Sequence, residues 1–262
     1  MKRKRIPILL GILLAGSSVS AIAVAKLGDP AKPLAIKEWV KGKAVDVLDG
    51  KNIYVVEFWA TWCGPCKRSI PYLSEVQQKL KNKGVVIVGI SDEPSSKVKP
   101  FVEQMGDKMN YVVACDDERK SNADYMQAYE QGGIPTAFVV GKDSKVIWVG
   151  HPMAGLDKTL EDILAGKYDL ATAKAADAVR AEQADYQQLS TKGDEKAKEL
   201  GRKLLAKAGD NVQALVDFAF GIVANMRNQN RDFALAEEAL TKAEKVAGGK
   251  DHRIVGTRAI LL

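Results

Sequence analysis

The 262-residue chain predicts an α/β domain, built on a mixed central sheet with helices on both faces, followed by an all-α tail. Three observations lead there. Short apolar runs alternate with amphipathic stretches from Ala44 to about Tyr168; the last two runs read as a hairpin; and beyond Tyr168 strand signals stop while Ala, Leu, Lys and Glu dominate. A chain of this length exceeds a single domain of roughly 100 to 150 residues, so a larger and a smaller unit are expected.

The first apolar run is "KAVDVL", closed by a turn at Asp49-Gly50, and "NIYVVEFWA" follows as a buried central strand. Cys63 and Cys66 come directly after it. Pro65 suits the first turn of a helix, where its missing N–H costs nothing, and Ile70, Leu73, Val76 and Leu80 continue an apolar stripe. "GVVIVGI" reads as a strand, "SSKVKPFVEQMG" as a helix, "NYVVAC" as a strand and "SNADYMQAY" as a helix. "GGIPTAFVV", the turn "GKDSK" and "VIWVG" make the hairpin, and "GLDKTLEDILAG" a helix ending at Gly166.

The tail divides into helices at 171–190, 194–208, 211–228, 233–247 and from about 252, broken at Gly193, Gly209 and Gly248-Gly249. Ala236, Leu240 and Ala243 give the small-large-small spacing of closely packed helix pairs, as in tetratricopeptide repeats, and "AKAGDN" and "KVAGGKD" recur about 40 residues apart. A plain helical bundle accounts for the same pattern.

Before the α/β region, Lys2, Arg3, Lys4 and Arg5 precede an apolar run, and small residues follow at Ala21, Ala23 and Ala25. Residues 1–25 therefore read as a secretory signal peptide, or, uncleaved, as a membrane anchor over 6–25, and residues 26–35 as a linker. Those four charges make up most of the formal +6, so no basic character remains to suggest nucleic acid. A periplasmic or other extracytoplasmic location follows, where thiols tend to oxidise.

Two cysteines at i and i+3 at a helix start fall within the Cα separation a disulfide accepts. As a staple the pair would remove little chain entropy, because so short a loop is closed. As half a zinc site it would have only Cys115, His151 and His252 to draw on, so no metal is expected. A redox pair fits better: helix-terminal N–H groups favour a thiolate on Cys63, the nucleophile, leaving Cys66 to resolve. Glu57, in an otherwise apolar strand, is either a buried acid with raised proton affinity or an outward-facing edge residue. Trp59 reads as core, Cys115 as a buried thiol and His151 as a loop residue.

"FWATWCGPC" and "GGIPTAFVV", in this order and spacing, resemble the thioredoxin superfamily, and within it the secreted TlpA/ResA-like thiol–disulfide oxidoreductases, over residues 36–168. The resemblance implies a thioredoxin-like fold and reduction of protein disulfides, with no cofactor beyond the Cys63–Cys66 disulfide. It implies a cis peptide at Pro135, substrate pairing with the Ile134 backbone, and Trp62 over the active-site surface; Gly64 and Pro65 match thioredoxin's dipeptide. It makes Glu57 the acid that exchanges a proton with the resolving cysteine, although the lysine that partners this acid in thioredoxin has no clear counterpart in "VVIVGISDEP". Expected partners are protein thiol or disulfide clients and a membrane thiol-reductant donor. A protein partner for the tail at 169–262 is the further expectation. Two other readings are an adaptor whose α/β domain is a platform, and a redoxin-type peroxidase.

Overall fold

A computed structural model describes residues 24–249 and 251–261, so the leader reading lies almost wholly outside the described residues. Six strands form one sheet in the order β1-β4-β3-β2-β5-β6: β1 Ile36–Lys41, β2 Ile53–Trp59, β3 Val85–Ser91, β4 Val112–Asp116, β5 Thr136–Val140 and β6 Val146–Gly150. β2, β3 and β4 are parallel; β1, β5 and β6 join antiparallel. The sheet is mixed, as the sequence pattern predicts.

Side-chain alternation splits the sheet's residues between two cores. Val55, Trp59, Ile87, Val113, Ala137 and Val139 face α1 Gly64–Leu80, α2 Ser95–Met105 and α4 Leu156–Leu164. Tyr54, Val56, Phe58, Val88, Ile90 and Phe138 face the other way. There Tyr125 and Met126 cover them from a turn made of α3 Lys120–Asn122 and a π-helical stretch, Ala123–Gln127. Leu27 and Ala31 add to this cover, so residues 26–35 are packed against the sheet, with Pro30 bridging to Lys145. Leu170 and Ala173, from the first turn of α5 Leu170–Thr191, complete it.

Two local readings need correction. The strand preceding β2 is "IKEWVK", not "KAVDVL", which forms loop and turn. β1 is a half-buried edge with two irregularities in its register, and its Lys41 Nζ donates to the Met109 carbonyl at 2.7 Å. Charge on an edge discourages pairing with other chains, and it also hides the strand's apolar alternation. The helix expected over "SNADYMQAY" is the α3 and π-helical turn, ended by Glu130 at φ 54°.

The tail consists of α5, α6 Lys196–Ala208, α7 Val212–Val223, α8 Phe233–Ala247 and α9 His252–Arg258, with its own core of Leu204, Leu215, Ala219, Ala236, Leu240 and Ala243 among others. Asp169, Asn211, Asp232 and Asp251 each accept backbone N–H groups at a helix start, a satisfied cap at four of the five helices. Gly201 lets α6 approach: a β-carbon there would lie 2.5 Å from Leu235 Cδ2 and 2.8 Å from Tyr186 Cε2.

Candidate active site

Parallel strands β2, β3 and β4 end on one side of the sheet, and the chain leaving β2 turns there into α1. Thr61 starts the turn. Its N–H donates to Glu93 Oε2 at 2.6 Å and its hydroxyl to Oε1 at 3.0 Å, fastening the approach to the cysteines onto the loop after β3. Cys63 is the N-cap of α1, with extended backbone at φ −76° and ψ 106°, and Pro65 sits in the first turn where no N–H is missed.

Cys63 and Cys66 are joined, with S–S 2.02 Å and Cα atoms 5.2 Å apart. The Cys66 N–H points back at Cys63 Sγ over 3.1 Å, so the first sulfur lies where helix-terminal N–H groups converge. Such a position lowers the free energy of a thiolate on Cys63 once the bond is reduced. Cys66 is sealed at 0% exposure, while Trp62 stands 71% exposed beside Gly64 and Pro65 at the surface. The Ile134–Pro135 peptide is cis, and the Ile134 carbonyl oxygen is 3.7 Å from Cys63 Sγ. Residues 71 apart in sequence thus meet at one sulfur.

A cleft of about 530 Å³ opens beside the pair, with Trp62, Met126, Gly133 and Ile134 on its wall and the Arg119–Asp92 ion pair, at 3.4 Å, in its lining. Arg119 and Glu118 both hold left-handed backbone, at φ 63° and 51°. Strain of this kind in non-glycine residues persists only where surrounding structure enforces it.

Glu57 lies on β2, between β3 and β5, and is 0% exposed. It is therefore the buried acid of the two readings, not the edge residue. Strand alternation puts it on the α1 side, the side of Val55 and Trp59. Burial pushes its carboxyl up to about 8, and neither oxygen has a hydrogen-bond partner among the described residues. Across the parallel ladder its partner is Gly89, which explains the missing lysine: the neighbouring strand offers no side chain there.

Other candidates fall outside this constellation. Cys115 is buried and free on β4, burial raising its thiol. His151 is an exposed loop residue whose Nδ1 accepts from the Met153 N–H at 3.1 Å. Trp59 is core, as its place in the apolar strand suggested. No cluster of three or more metal-ligating side chains lies among the described residues. Glu93, Tyr111 and the Arg119–Asp92 pair were not read from the sequence; the one signal that could have pointed here, a glycine inside the apolar run of β3, reads only as part of the strand.

The fold and the site define a thioredoxin-like domain carrying a CxxC disulfide at the mouth of its first long helix. Residues 27–149, a little under half of the chain, match the AhpC/TSA family. Curated relatives include the thiol-disulfide oxidoreductase ResA of Bacillus thuringiensis (strain Al Hakam), 38% identical over 111 residues, which are 41% of this chain and 60% of that protein. ResA of Bacillus subtilis (strain 168) is 32% identical over 120 residues, 45% of this chain and 63% of the relative. The chain thus spans less than two thirds of the length of these relatives. Among solved structures, the thioredoxin domain of a thiol-disulfide oxidoreductase from Bacteroides vulgatus aligns with TM-score 0.47 at 25% identity, covering 53% of this chain and 99% of that one.

Proposed function

We propose that the protein is a thiol–disulfide oxidoreductase that reduces protein disulfides through Cys63 and Cys66. The observation that supports this most is the disulfide itself, set at the N-terminus of α1 with its first sulfur beside the Ile134 carbonyl.

In the reduced protein the Cys63 thiolate attacks one sulfur of a client disulfide, the client's other sulfur leaves as a thiolate, and a mixed disulfide forms. Cys66 then gives up its proton to Glu57 and attacks Cys63 Sγ. The client departs with both sulfurs reduced; the protein keeps the Cys63–Cys66 bond, having given up two electrons. An acid with proton affinity near neutrality suits this transfer, since it accepts the proton and later returns it. Ile134 offers its backbone to an extended client beside Pro135, and Trp62 covers the approach.

Reduction is favoured over oxidation because Gly64 and Pro65 match the dipeptide of thioredoxin, whose potential of about −270 mV marks a reductant. A value for this pair near about −120 mV, measured against glutathione, would reverse the direction. The basic and apolar leader supports an extracytoplasmic location, where a membrane thiol donor must recharge the pair. No helix among the described residues is long and apolar enough to cross a membrane. The tail, which exposes Phe220, Met226 and Phe233, is the part fitted to hold a protein partner.

The deciding experiment is reduction of insulin disulfides with dithiothreitol, intact protein against Cys63→Ser. Turnover that disappears in the variant supports the assignment. Absent turnover in the intact protein favours the platform reading.

A further inference from the structure

Glu57 faces a glycine, and three side chains that each carry a polar group crowd over that glycine. A β-carbon on Gly89 would stand 3.0 Å from Cε2 of Tyr111, 3.1 Å from Nε1 of Trp59 and 3.3 Å from Oε2 of Glu57. All three side chains are buried, and both Glu57 oxygens, the Trp59 indole nitrogen and the Tyr111 hydroxyl lack partners among the described residues. An orphaned buried polar group is costly, so several on side chains that crowd one spot call for a common explanation. Their chemistry is complementary: an indole N–H and a phenol O–H can only profit from an acceptor, and a carboxylate is nothing but acceptors.

We infer that Tyr111 is the positioning residue of Glu57: when the carboxylate forms, the phenol, together with the Trp59 N–H, donates to it directly or through a water held over Gly89. This rests on the reading of Glu57 as the proton acceptor of Cys66 and extends it to the group that makes the anion tolerable in the core. The proton balance is unchanged. The proton passes from the Cys66 thiol to Glu57, and Tyr111 keeps its own, its phenol being raised well above 10 by burial and then by the Glu57 charge.

Among the described residues no fixed cation acts on Glu57, whose raised proton affinity has burial as its one cause. Opposite Glu57, β3 supplies Gly89 and β5 supplies Ala137. From the same core α1 brings Cys66, α2 Val98 and Val102, α4 Leu156 and Leu160, and β4 the buried thiol Cys115. Over Gly89, the Tyr111 ring is the neighbour of the carboxylate that carries a hydroxyl.

The test is a carbon-13 titration of the Glu57 carboxyl in the oxidised full chain, its signal identified by loss in Glu57→Gln, comparing wild type with Tyr111→Phe. Removing a donor to the anion raises proton affinity, so the Tyr111→Phe midpoint should move up, by about threefold or more in affinity. The pH profile of Cys66-dependent release of a mixed disulfide should shift the same way. A midpoint that is unchanged or lower in Tyr111→Phe overturns the inference, even if thermal unfolding shows a purely structural loss. Insulin reduction by the wild type is read separately, so an inactive protein with a moved midpoint would sink the redox assignment and leave the Tyr111 role standing.

Discussion

Cys63 Sγ lies 3.7 Å from the carbonyl oxygen of Ile134, a contact between the helix mouth and the loop entering β5. The sulfur bonded to Cys66 has no proton to give, so in this state the contact is packing. Under the proposed mechanism, the same carbonyl in the reduced protein would lie where a client backbone runs when its disulfide meets the thiolate.

This relationship makes the two cysteines unequal. Both sulfurs are buried, Cys66 at 0% and Cys63 at 3% exposure, but Cys63 sits at the N-cap beside exposed Trp62 and Gly64. Replacing Cys66 by Ser should therefore accumulate mixed disulfides with client proteins, seen as adducts on non-reducing gels that vanish with reductant; Cys63→Ser should accumulate none. Equal trapping by both variants would remove the assignment of nucleophile.

Glu57 should make stability fall as pH rises. Its carboxyl titrates near 4.5 when exposed and at about 8 in the fold, so between those values the native state binds a proton that the unfolded chain has released. Stability contributed by the protonated form is full below the lower value, is lost through that window at up to about 1.4 kcal/mol per pH unit, and is level above it. Urea unfolding of the oxidised protein at pH 5, 7 and 9 should show this slope in wild type and a flatter one in Glu57→Gln. The variant should become the more stable of the two at pH 9. A difference between them that does not change with pH contradicts the burial of a titrating acid.

What could be read from the sequence, and what could not, follows the range of the interactions. β2, β3 and α1 announce themselves through unbroken apolar runs and a 3.6-residue stripe, because each buries its side chains in one continuous core. The cysteine pair is legible since both partners belong to one helix turn. β1 is not, because an edge strand with Lys37, Glu38 and Lys41 hides its apolar face behind charge. Glu93 was equally hidden: its partner Thr61 is 32 residues away, and nothing in "SDEP" distinguishes a solvated acid from one holding a loop. Gly89 and Tyr111 became informative only when strand register set one opposite Glu57 and brought the other over it.

That Glu93–Thr61 contact is itself testable. Both carboxylate oxygens accept from Thr61, and Glu93 is nearly buried, so Glu93→Ala leaves a backbone N–H and a hydroxyl unserved. The loss should be about 1–3 kcal/mol of unfolding free energy, accompanied by faster amide exchange at Thr61. Unchanged exchange at that amide would mean the loop is held by something else.

The tail's packing rests on one close approach. Gly201 on α6 leaves room for Leu235 of α8 and Tyr186 of α5, both buried, and the Tyr186 ring in turn packs at 5.7 Å from Phe218 of α7. Gly201→Val would place a branched side chain where even a β-carbon comes within 2.5 Å of Leu235. Glycine is a poor helix former, so replacing it should gain a few tenths of a kcal/mol, but overpacking a close-packed core costs about 1–3 kcal/mol and decides the sign. The variant should unfold earlier in a thermal melt followed by helical circular dichroism. Because this core is separate from the two that sandwich the sheet, reduction of insulin below the melting range should be unaltered. A Gly201→Val protein as stable as wild type would mean that α5, α6 and α8 do not meet at this point.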